Sequence, residues 1–165
     1  MKDRIIRTRN GTELVIVEVR NVYAAQVMAI IRNKGAAGFS ADNGQISYSD
    51  QAAWYAKNAD SITARLYCVG YNYPAGYGLL RRDDSGRLVS SVAVDPEFTG
   101  RGIGAAITAD IIRATRETVY ATARRNNPAA VALHCAADWV RTAEDSRLAH
   151  FETRPEVAAE YNGGE

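Results

Sequence analysis

The sequence lacks any long apolar run. No hydrophobic stretch approaches the roughly 18 residues that a membrane-spanning helix needs. The N-terminal residues Met1 to Arg4 lead into a mixed segment and not into the apolar core of a signal peptide. We therefore expect neither a membrane protein nor a secreted one, and we predict a cytoplasmic location.

An excess of charge of one sign is also missing. Twenty Lys and Arg residues against nineteen Asp and Glu residues give a formal net charge of +1. A chain with so little net charge has no general field to hold a nucleic-acid backbone or an anionic membrane, so neither is expected as a partner. A local basic patch remains open, and its candidates are Arg113, Arg116, Arg124 and Arg125.

Cysteine is scarce as well. Cys68 and Cys135 are the two cysteines, and neither belongs to a CxxC motif or to a cluster with histidine. Zinc binding and dithiol chemistry are therefore not expected, and no metal site is predicted. Both side chains are interpreted as small buried hydrophobic groups.

What is present fits one globular domain, predicted over residues 1–165. The chain is 47% hydrophobic and 24% charged, close to ordinary globular proteins. Hydrophobic periodicity and turn residues predict alternating strands and helices, with a mobile loop over residues 35–44. The predicted strands are 13–19, 61–69, 77–82, 87–94, 120–125 and 148–153, and the predicted helices are 23–32, 49–58, 103–119 and 128–139. This order predicts an α/β domain with a mixed sheet.

A glycine-rich loop follows the fourth predicted strand. Glycines at 100, 102 and 104 precede the longest predicted helix. Glycine lets the backbone approach a ligand closely, and the free N–H groups at a helix N-terminus attract anions. The loop therefore predicts a phosphate-binding site, while tight strand-to-helix packing is the alternative interpretation.

Two familiar phosphate loops do not fit this segment. A Walker loop needs Lys followed by Ser or Thr, which is absent here. A short-chain dehydrogenase carries its glycine loop near the N-terminus, whereas here the chain ends about 60 residues after the loop, which is too little for a dinucleotide-binding fold. No YxxxK motif occurs either.

The loop resembles that of the GCN5-related N-acetyltransferases. Their motif, a strand ending in valine, then proline, then [Q/R]xxGxG, corresponds here to Val94, Pro96 and Thr99-Gly-Arg-Gly-Ile-Gly104. Thr99 departs from the usual glutamine or arginine. A second motif of the family, NxxAxxLYxxxGF, is matched by Asn127, Ala130 and Leu133. There His134, Asp138 and Trp139 replace the tyrosine, glycine and phenylalanine.

The resemblance implies a fold and a cofactor. The expected fold is a mixed, mostly antiparallel central sheet flanked by helices, over about residues 12–153, with the fourth and fifth predicted strands splayed apart. The implied co-substrate is acetyl-coenzyme A. Its pyrophosphate would lie on the glycine loop and its pantetheine arm along the fourth strand and a later asparagine. The implied cofactor-binding residues are Val92, Ala93, Val94, Thr99, Gly100, Arg101, Gly102, Ile103, Gly104, Ala105 and Asn127.

The resemblance also implies a reaction, transfer of the acetyl group to a primary amine by direct attack. A backbone N–H near Val94 would stabilise the developing oxyanion. His134 is the candidate catalytic residue, as proton donor to the leaving thiolate, because it shares a helix face with Ala130 and Leu133. A buried core histidine is the alternative. Thr122 occupies a position where relatives often carry a glutamate base, so a water relayed by Ser90, Ser91 or a backbone carbonyl is expected instead.

The acceptor side remains open. We expect an amine on a small molecule, peptide or protein, bound between the loop 35–44 with Asp42 and the hairpin Tyr71 to Gly76. A homodimer is an open alternative. A second function is also an open alternative: the chain would bind or sense acyl-coenzyme A with weak or no turnover. His134 and Thr122 favour this alternative, because they depart from the residues expected of an active enzyme.

Overall fold

The computed structural model describes residues 4–35, 44–136 and 139–153, without the side chains of residues 135 and 136. Within these residues eight strands form one sheet in the order β1-β2-β3-β4-β5-β6-β8-β7. The strands are β1 (Arg4–Arg7), β2 (Glu13–Glu18), β3 (Thr63–Val69), β4 (Tyr73–Arg82), β5 (Leu88–Val94), β6 (Val119–Arg124), β7 (Trp139–Glu144) and β8 (Leu148–Thr153). The helices are α1 (Val22–Gly35), α2 (Tyr48–Asn58), α3 (Ile103–Ile112) and α4 (Pro128–Ala136). None of the described helices is long and apolar enough to cross a membrane.

The sheet is antiparallel except where β5 meets β6. These two strands are parallel and pair only at Leu88 with Val119 and at Val89 with Tyr120. Beyond Val89 the register ends and the strands separate. They correspond to the fourth and fifth predicted strands, so both the mostly antiparallel sheet and the predicted splay are confirmed.

Helices cover both faces of the sheet. Tyr77 and Leu79 of β4 pack against residues of α1 and α2 on one face, together with Met28 and Ile31. On the other face Leu80 packs with Ile111 of α3. Side chains alternate along a strand, so each β4 residue can be assigned to a face from these contacts.

Two glycines of β4 bring α3 very close to the sheet. A Cβ atom at Gly76 would lie 2.6 Å from Cδ1 of Ile107 and 2.7 Å from the carbonyl oxygen of Ala93. At Gly78 it would lie 3.0 Å from Cγ2 of Ile107. The absence of side chains at these positions allows the close contact, which holds the helix directly beside the end of β5.

The element boundaries differ from the prediction at several places. Helix α3 ends at Ile112 and not at residue 119, because the following amides turn back on carbonyls three residues earlier, as in Arg113 N to Asp110 O at 3.2 Å. Strand β4 begins at Tyr73, since Pro74 pairs with Cys68 across a bulge. Described helix α4 ends at Ala136, and Trp139 begins the unpredicted strand β7.

Strand β1 is also absent from the prediction. It pairs with β2 at the edge of the sheet and is tied to α3 by an ion pair between Arg4 and the buried Asp110. Arg65 and Tyr67 also contact Asp110, at 3.2 Å and 2.7 Å. Four residues with the sequence Arg-Ile-Ile-Arg carry too little periodicity to predict a strand.

One cysteine prediction is confirmed. Cys68 is buried and free, and burial raises the pKa of its thiol. The side chain of Cys135 lies outside the described part of the chain.

Candidate functional site

A cavity of about 770 Å³ opens where β5 and β6 separate. Its walls come from α1 and α2 on one side, from β4, β5 and β6 in the middle, and from α4 on the other side. It brings together the predicted site residues Val92, Ala93, Val94, Asn127 and His134. The first three residues lie on one strand, and the other two belong to a motif that begins more than 30 positions later in the sequence. The separation of β5 and β6 brings the two groups to the same cavity.

The glycine loop lies at the C-terminal end of β5 and begins α3. Gly100 and Gly102 have φ of +82° and +74°, in the left-handed region that favours glycine, and Gly102 is the N-cap of α3. The first backbone bond of the helix runs from Ala106 N to Gly102 O at 3.2 Å. Within the described residues the amides of residues 100–105 donate no hydrogen bond, so they are available to an anion.

Gly104 differs from the other two glycines. It lies in the first turn of α3, and a Cβ atom there would meet Val94 Cγ2 at 3.6 Å and Leu133 Cδ2 at 3.8 Å, which are ordinary contacts. The protein itself therefore does not require glycine at this position. A Cβ atom at Gly100 would meet nothing within 4 Å. The open space above the free amides fits a pyrophosphate group.

Asp95 fixes the start of this loop. Its Oδ1 accepts a hydrogen bond from Glu97 N at 3.0 Å, and its Oδ2 pairs with Lys34 Nζ at 2.9 Å. Burial alone would raise the pKa of Asp95, but Lys34 and the Glu97 amide outweigh it and lower that pKa below its usual value. The loop is thus tied to the C-terminal end of α1.

Strand β5 has a free edge facing the gap. Its amides alternate between the two neighbouring strands. Asp95 N donates to Ala75 O of β4 at 2.7 Å, and the β4–β5 register continues without a bulge to Leu88. The N–H groups of Val92 and Val94 therefore point away from β4, into the gap toward β6. This edge can pair with an extended ligand as an added strand would.

Asn127 begins helix α4 as predicted. Its Oδ1 accepts from Ala130 N at 3.2 Å, with Pro128 in the first helical position. Because its oxygen is used by the cap, the side-chain NH₂ group is the part that is left for a ligand in the cavity.

His134 is buried in the wall of the cavity. It stacks on Phe151 with ring centroids 4.9 Å apart and meets the edge of Trp139 at 5.0 Å. Its Nδ1 lies 2.8 Å from the carbonyl oxygen of Ala130. A carbonyl only accepts, so Nδ1 carries the hydrogen and neutral Nε2 carries a lone pair. Burial lowers the pKa of His134, although the Ala130 carbonyl opposes this, so the ring is neutral at pH 7.

The acceptor side of the cavity carries charge that was not predicted. Arg32 of α1, Asp50 of α2 and Arg81 of β4 line it, together with Ser91 and Thr122. Side chains alternate along a strand, so Arg81 faces the same side of β4 as Tyr77 and Leu79. The orientation of Arg81 becomes evident only once the start of β4 is known.

The hairpin Tyr71 to Gly76, expected beside the acceptor, does not line the cavity. Tyr71 and Tyr73 are 76% and 65% exposed and lie outside the cavity wall. They fall at the turn before β4 and at its first residue, away from the splay. Asp42 and most of the predicted loop 35–44 lie outside the described residues.

A family model matches most of the chain. The model of the acetyltransferase (GNAT) family matches residues 23–136, which include the splayed strands, the glycine loop and α4. The chain belongs to this family. The resemblance inferred from the sequence is confirmed, and the family's chemistry is acetyl transfer with acetyl-coenzyme A as co-substrate.

Solved structures of GNAT proteins share the fold. The protein yncA from Salmonella typhimurium, with its cofactor acetyl-CoA, is 17% identical, with 86% of this chain and 94% of that chain covered and a TM-score of 0.72. Spermidine N-acetyltransferase from Vibrio cholerae, in complex with CoA and spermine, is 11% identical over 88% and 98%, with a TM-score of 0.75. A phosphinothricin acetyltransferase from Sinorhizobium meliloti, in complex with AcCoA, is 14% identical over 84% and 86%, with a TM-score of 0.73. The chain matches no curated protein. The GNAT members thus confirm the fold class.

Proposed function

We propose that this GNAT acetyltransferase is an N-acetyltransferase, which moves an acetyl group from acetyl-coenzyme A to a primary amine by direct attack. The observation that carries the proposal is the free edge of β5, where the Val92 and Val94 amides face the cavity, and Gly104 of the glycine loop lies beside Val94 at the end of this edge. One continuous surface therefore offers an anion cradle, a strand edge and a space for an acceptor.

In this proposal three parts of the chain hold the co-substrate. The pyrophosphate lies on the free amides of the loop, where the helix N-terminus adds a favourable dipole. The pantetheine arm pairs with the edge of β5, and the Asn127 side chain contacts the same arm. The residues assigned to the co-substrate are Val92, Ala93, Val94, Thr99, Gly100, Arg101, Gly102, Ile103, Gly104, Ala105 and Asn127.

The chemistry needs few side chains. Acetyl-coenzyme A, when bound, supplies a thioester carbonyl that an amine can attack. The N–H groups of Val92 and Val94 are already oriented into the gap, so they can stabilise negative charge on the carbonyl oxygen without reorganising. No nucleophilic side chain is required, since the C–N bond forms as the C–S bond breaks.

We assign His134 the proton transfer between the two reacting groups. Its ring is neutral, with a lone pair on Nε2, so it can protonate the sulfur only after taking up a proton. The attacking amine has a surplus proton once the C–N bond has formed. Nε2 accepts this proton and delivers it to the departing thiolate, which leaves the histidine neutral again. A proton relay therefore replaces the preformed acid that the sequence suggested.

The general base is a separate question from this relay. Ser91 and Thr122 line the acceptor side, and neither is a carboxylate. The carboxylate on this side, Asp50 of α2, is exposed, and we propose that the acceptor amine loses its first proton to water before it attacks. Amines of lower pKa are neutral more often at pH 7, so we expect them to be the better acceptors.

A thiol-release assay tests the function. Acetyl-coenzyme A is incubated with a panel of amino acids, peptides, polyamines and aminoglycosides, while free thiol and the acetylated product are measured. We expect amine-dependent thiol release with acetylation on nitrogen. If coenzyme A binds but no amine releases thiol, the chain is an acyl-coenzyme A binding protein instead.

The cytoplasmic location, the single domain over residues 1–165 and a homodimer stay predictions.

A further inference from the structure

We propose that Arg81 recognises an anionic group on the acceptor, so the acceptor is a small amine that also carries a carboxylate or a similar anion. This inference rests on the proposed N-acetyltransferase function and adds the chemical class of the substrate. It starts from the position of Arg81 on β4 and from the charges around it.

Arg81 reaches the acceptor side of the cavity. On β4, Tyr77 and Leu79 pack with α1 and α2, and two further residues along the strand Arg81 faces the same side. Its partner in the register is Val89, which is where β5 is still paired with β6. Arg81 therefore lies at the closed end of the gap, and it lines the cavity.

The Arg81 guanidinium has no partner in the described part of the protein. It is partly buried, yet among the described residues it makes no hydrogen bond and no ion pair. A partly buried charge without a counter-ion is unfavourable, so an anion supplied by a ligand would be stabilised there. By contrast, its neighbour Arg82 faces the other side and pairs with Glu117 at 2.7 Å.

The other charges of the cavity favour the same kind of acceptor. The described lining residues include three arginines, Arg32, Arg81 and Arg124, but one acidic residue, Asp50. A polyamine would bring several positive charges close to the Arg81 guanidinium, which has no counter-ion among the described residues. An amine with one carboxylate would offer one ammonium and one anion, which matches this distribution better.

The phosphates of the co-substrate lie too far from Arg81 to be the anion that it binds. The glycine loop begins beyond Val94, and Arg81 pairs with Val89. Five residues of strand separate these points, a distance of about 17 Å. An anion at Arg81 therefore lies on the acceptor's side of the transferred acetyl group and not at the pyrophosphate.

Matched pairs of acceptors test the proposal. Alanine, leucine, methionine and phenylalanine are each compared with their carboxamides, which keep the amine and remove the negative charge. The ratio of kcat/KM for acid over amide is measured in the wild type, in Arg81→Gln and in the control Arg82→Gln. Comparing ratios between variants cancels the different amine pKa values of acid and amide.

We expect Arg81→Gln to lower the acid-to-amide ratio by about 10- to 100-fold, since a hydrogen bond to a charged group is lost. The amide's own kcat/KM should stay near the wild-type value, and Arg82→Gln should leave the ratio unchanged. Spermine should be a poor acceptor for the wild type. An unchanged ratio in Arg81→Gln, or spermine as the best acceptor, overturns the proposal.

A binding measurement separates this inference from the proposed function. If no amine is acetylated, the N-acetyltransferase function fails, and the anion site is tested by calorimetry on the coenzyme A-bound protein. The probes are N-acetylphenylalanine and its carboxamide. Binding of the acid that is about 10-fold or more weaker in Arg81→Gln supports the anion site, whereas equal binding in the two proteins overturns it.

Discussion

The Nζ atom of Lys34 lies 2.9 Å from Oδ2 of Asp95, and this ion pair joins the last turn of α1 to the start of the glycine loop. Lys34 lies two residues after Arg32, which lines the acceptor side of the cavity, and Asp95 directly follows the strand that faces the gap. The pair therefore holds the acceptor side and the cofactor loop at a fixed separation.

Asp95→Asn should destabilise the protein by about 1–3 kcal/mol at pH 7, because hydrogen bonds to a charged group are lost. The pKa of Asp95 is lowered in the folded state, so its contribution is present above the ordinary value of 3.8 and is lost as the pH falls through the folded value. Denaturant unfolding at pH 7 and below pH 3.8 measures this. The difference between wild type and Asp95→Asn should shrink at the lower pH. A difference that stays constant across both conditions would show that the charge of Asp95 has no such role.

Gly102→Val should abolish binding of acetyl-coenzyme A while the protein stays folded. Valine is strained at a φ of +74°, and its Cβ atom would meet Thr8 Cβ at 3.6 Å and Arg9 N at 3.9 Å, so the loop would have to shift and its free amides would lose their present orientation. Gly86→Val is the matched control, because Gly86 has a φ of +79°, has nothing within 4 Å of its Cβ position and lies in a hairpin turn away from the cavity. Calorimetry should show lost affinity in the first variant and full affinity in the second. Wild-type affinity in Gly102→Val would remove the cradle from the mechanism.

Gly104 allows a further comparison within the same loop. Gly104→Val places side-chain atoms near the pyrophosphate, but no positive φ strains this position. Loss of affinity with unchanged thermal stability is expected, measured by calorimetry and by thermal unfolding. Should the variant lose stability and affinity together, the effect would have to come from α3 packing against Val94 and Leu133.

Gly76→Ala should destabilise the fold by about 3 kcal/mol or more. The added methyl group would lie 2.7 Å from the backbone oxygen of Ala93, which is too close to be relieved by a side-chain rotation. Gly70→Ala serves as control, because nothing lies within 4 Å of its Cβ position and only its φ of +63° is unfavourable, at about 1–2 kcal/mol. Chemical unfolding compares the two. Equal losses would show that α3 does not need the bare backbone of β4.

His134→Phe should lower kcat by about 10- to 1000-fold with little change in cofactor affinity, because phenylalanine keeps the packing against Phe151 and Trp139 but carries no proton. The wild-type rate should rise from pH 6 to 9 as the amine loses its proton, because a relay starts from the neutral ring. Steady-state kinetics across this range measures both effects. A rate that declines above about pH 7 would indicate a preformed imidazolium acid, and full activity in His134→Phe would leave a purely structural histidine.

Protonation of His134 also has a consequence for stability. The folded-state pKa lies below 6.5, so the protein is most stable above that pH and loses stability as the pH falls through 6.5 toward the folded value. As the pH is raised from about 5 to 7, the free energy of unfolding of the wild type should therefore increase relative to that of His134→Phe. Urea unfolding at several pH values measures this difference. A stability difference that does not change over this range would contradict a buried neutral ring.

The sequence predicts the parts of the site that depend on local motifs. The glycine loop and the cap formed by Asn127 follow from residue types at fixed spacings, and the splay follows from the family resemblance. The loop and the cap need only neighbouring residues, and the two motifs together are enough to identify the family whose fold contains the splay.

The acceptor side could not be predicted in the same way. Arg81 reaches the cavity because β4 starts at Tyr73, and that start depends on the pairing of Pro74 with Cys68 across a bulge. Arg32 and Asp50 line the cavity only because α1 and α2 pack on the sheet. The tautomer of His134 likewise depends on the turn of α4 that directs Nδ1 to its own backbone. Long-range packing decides where Arg81, Arg32 and Asp50 lie, and the side-chain conformation of His134 decides its tautomer. Hydrophobic periodicity predicts neither.

Amide hydrogen exchange at β5 tests the central claim most directly. The claim is that the co-substrate pairs with the free edge of β5, where Val92 and Val94 face the gap while Ala93 faces β4. Exchange rates are measured by NMR with and without acetyl-coenzyme A. We predict that binding strongly slows exchange at Val92 and Val94 and leaves the already bonded Ala93 amide little changed. Binding that leaves the Val92 and Val94 amides unprotected would contradict the account.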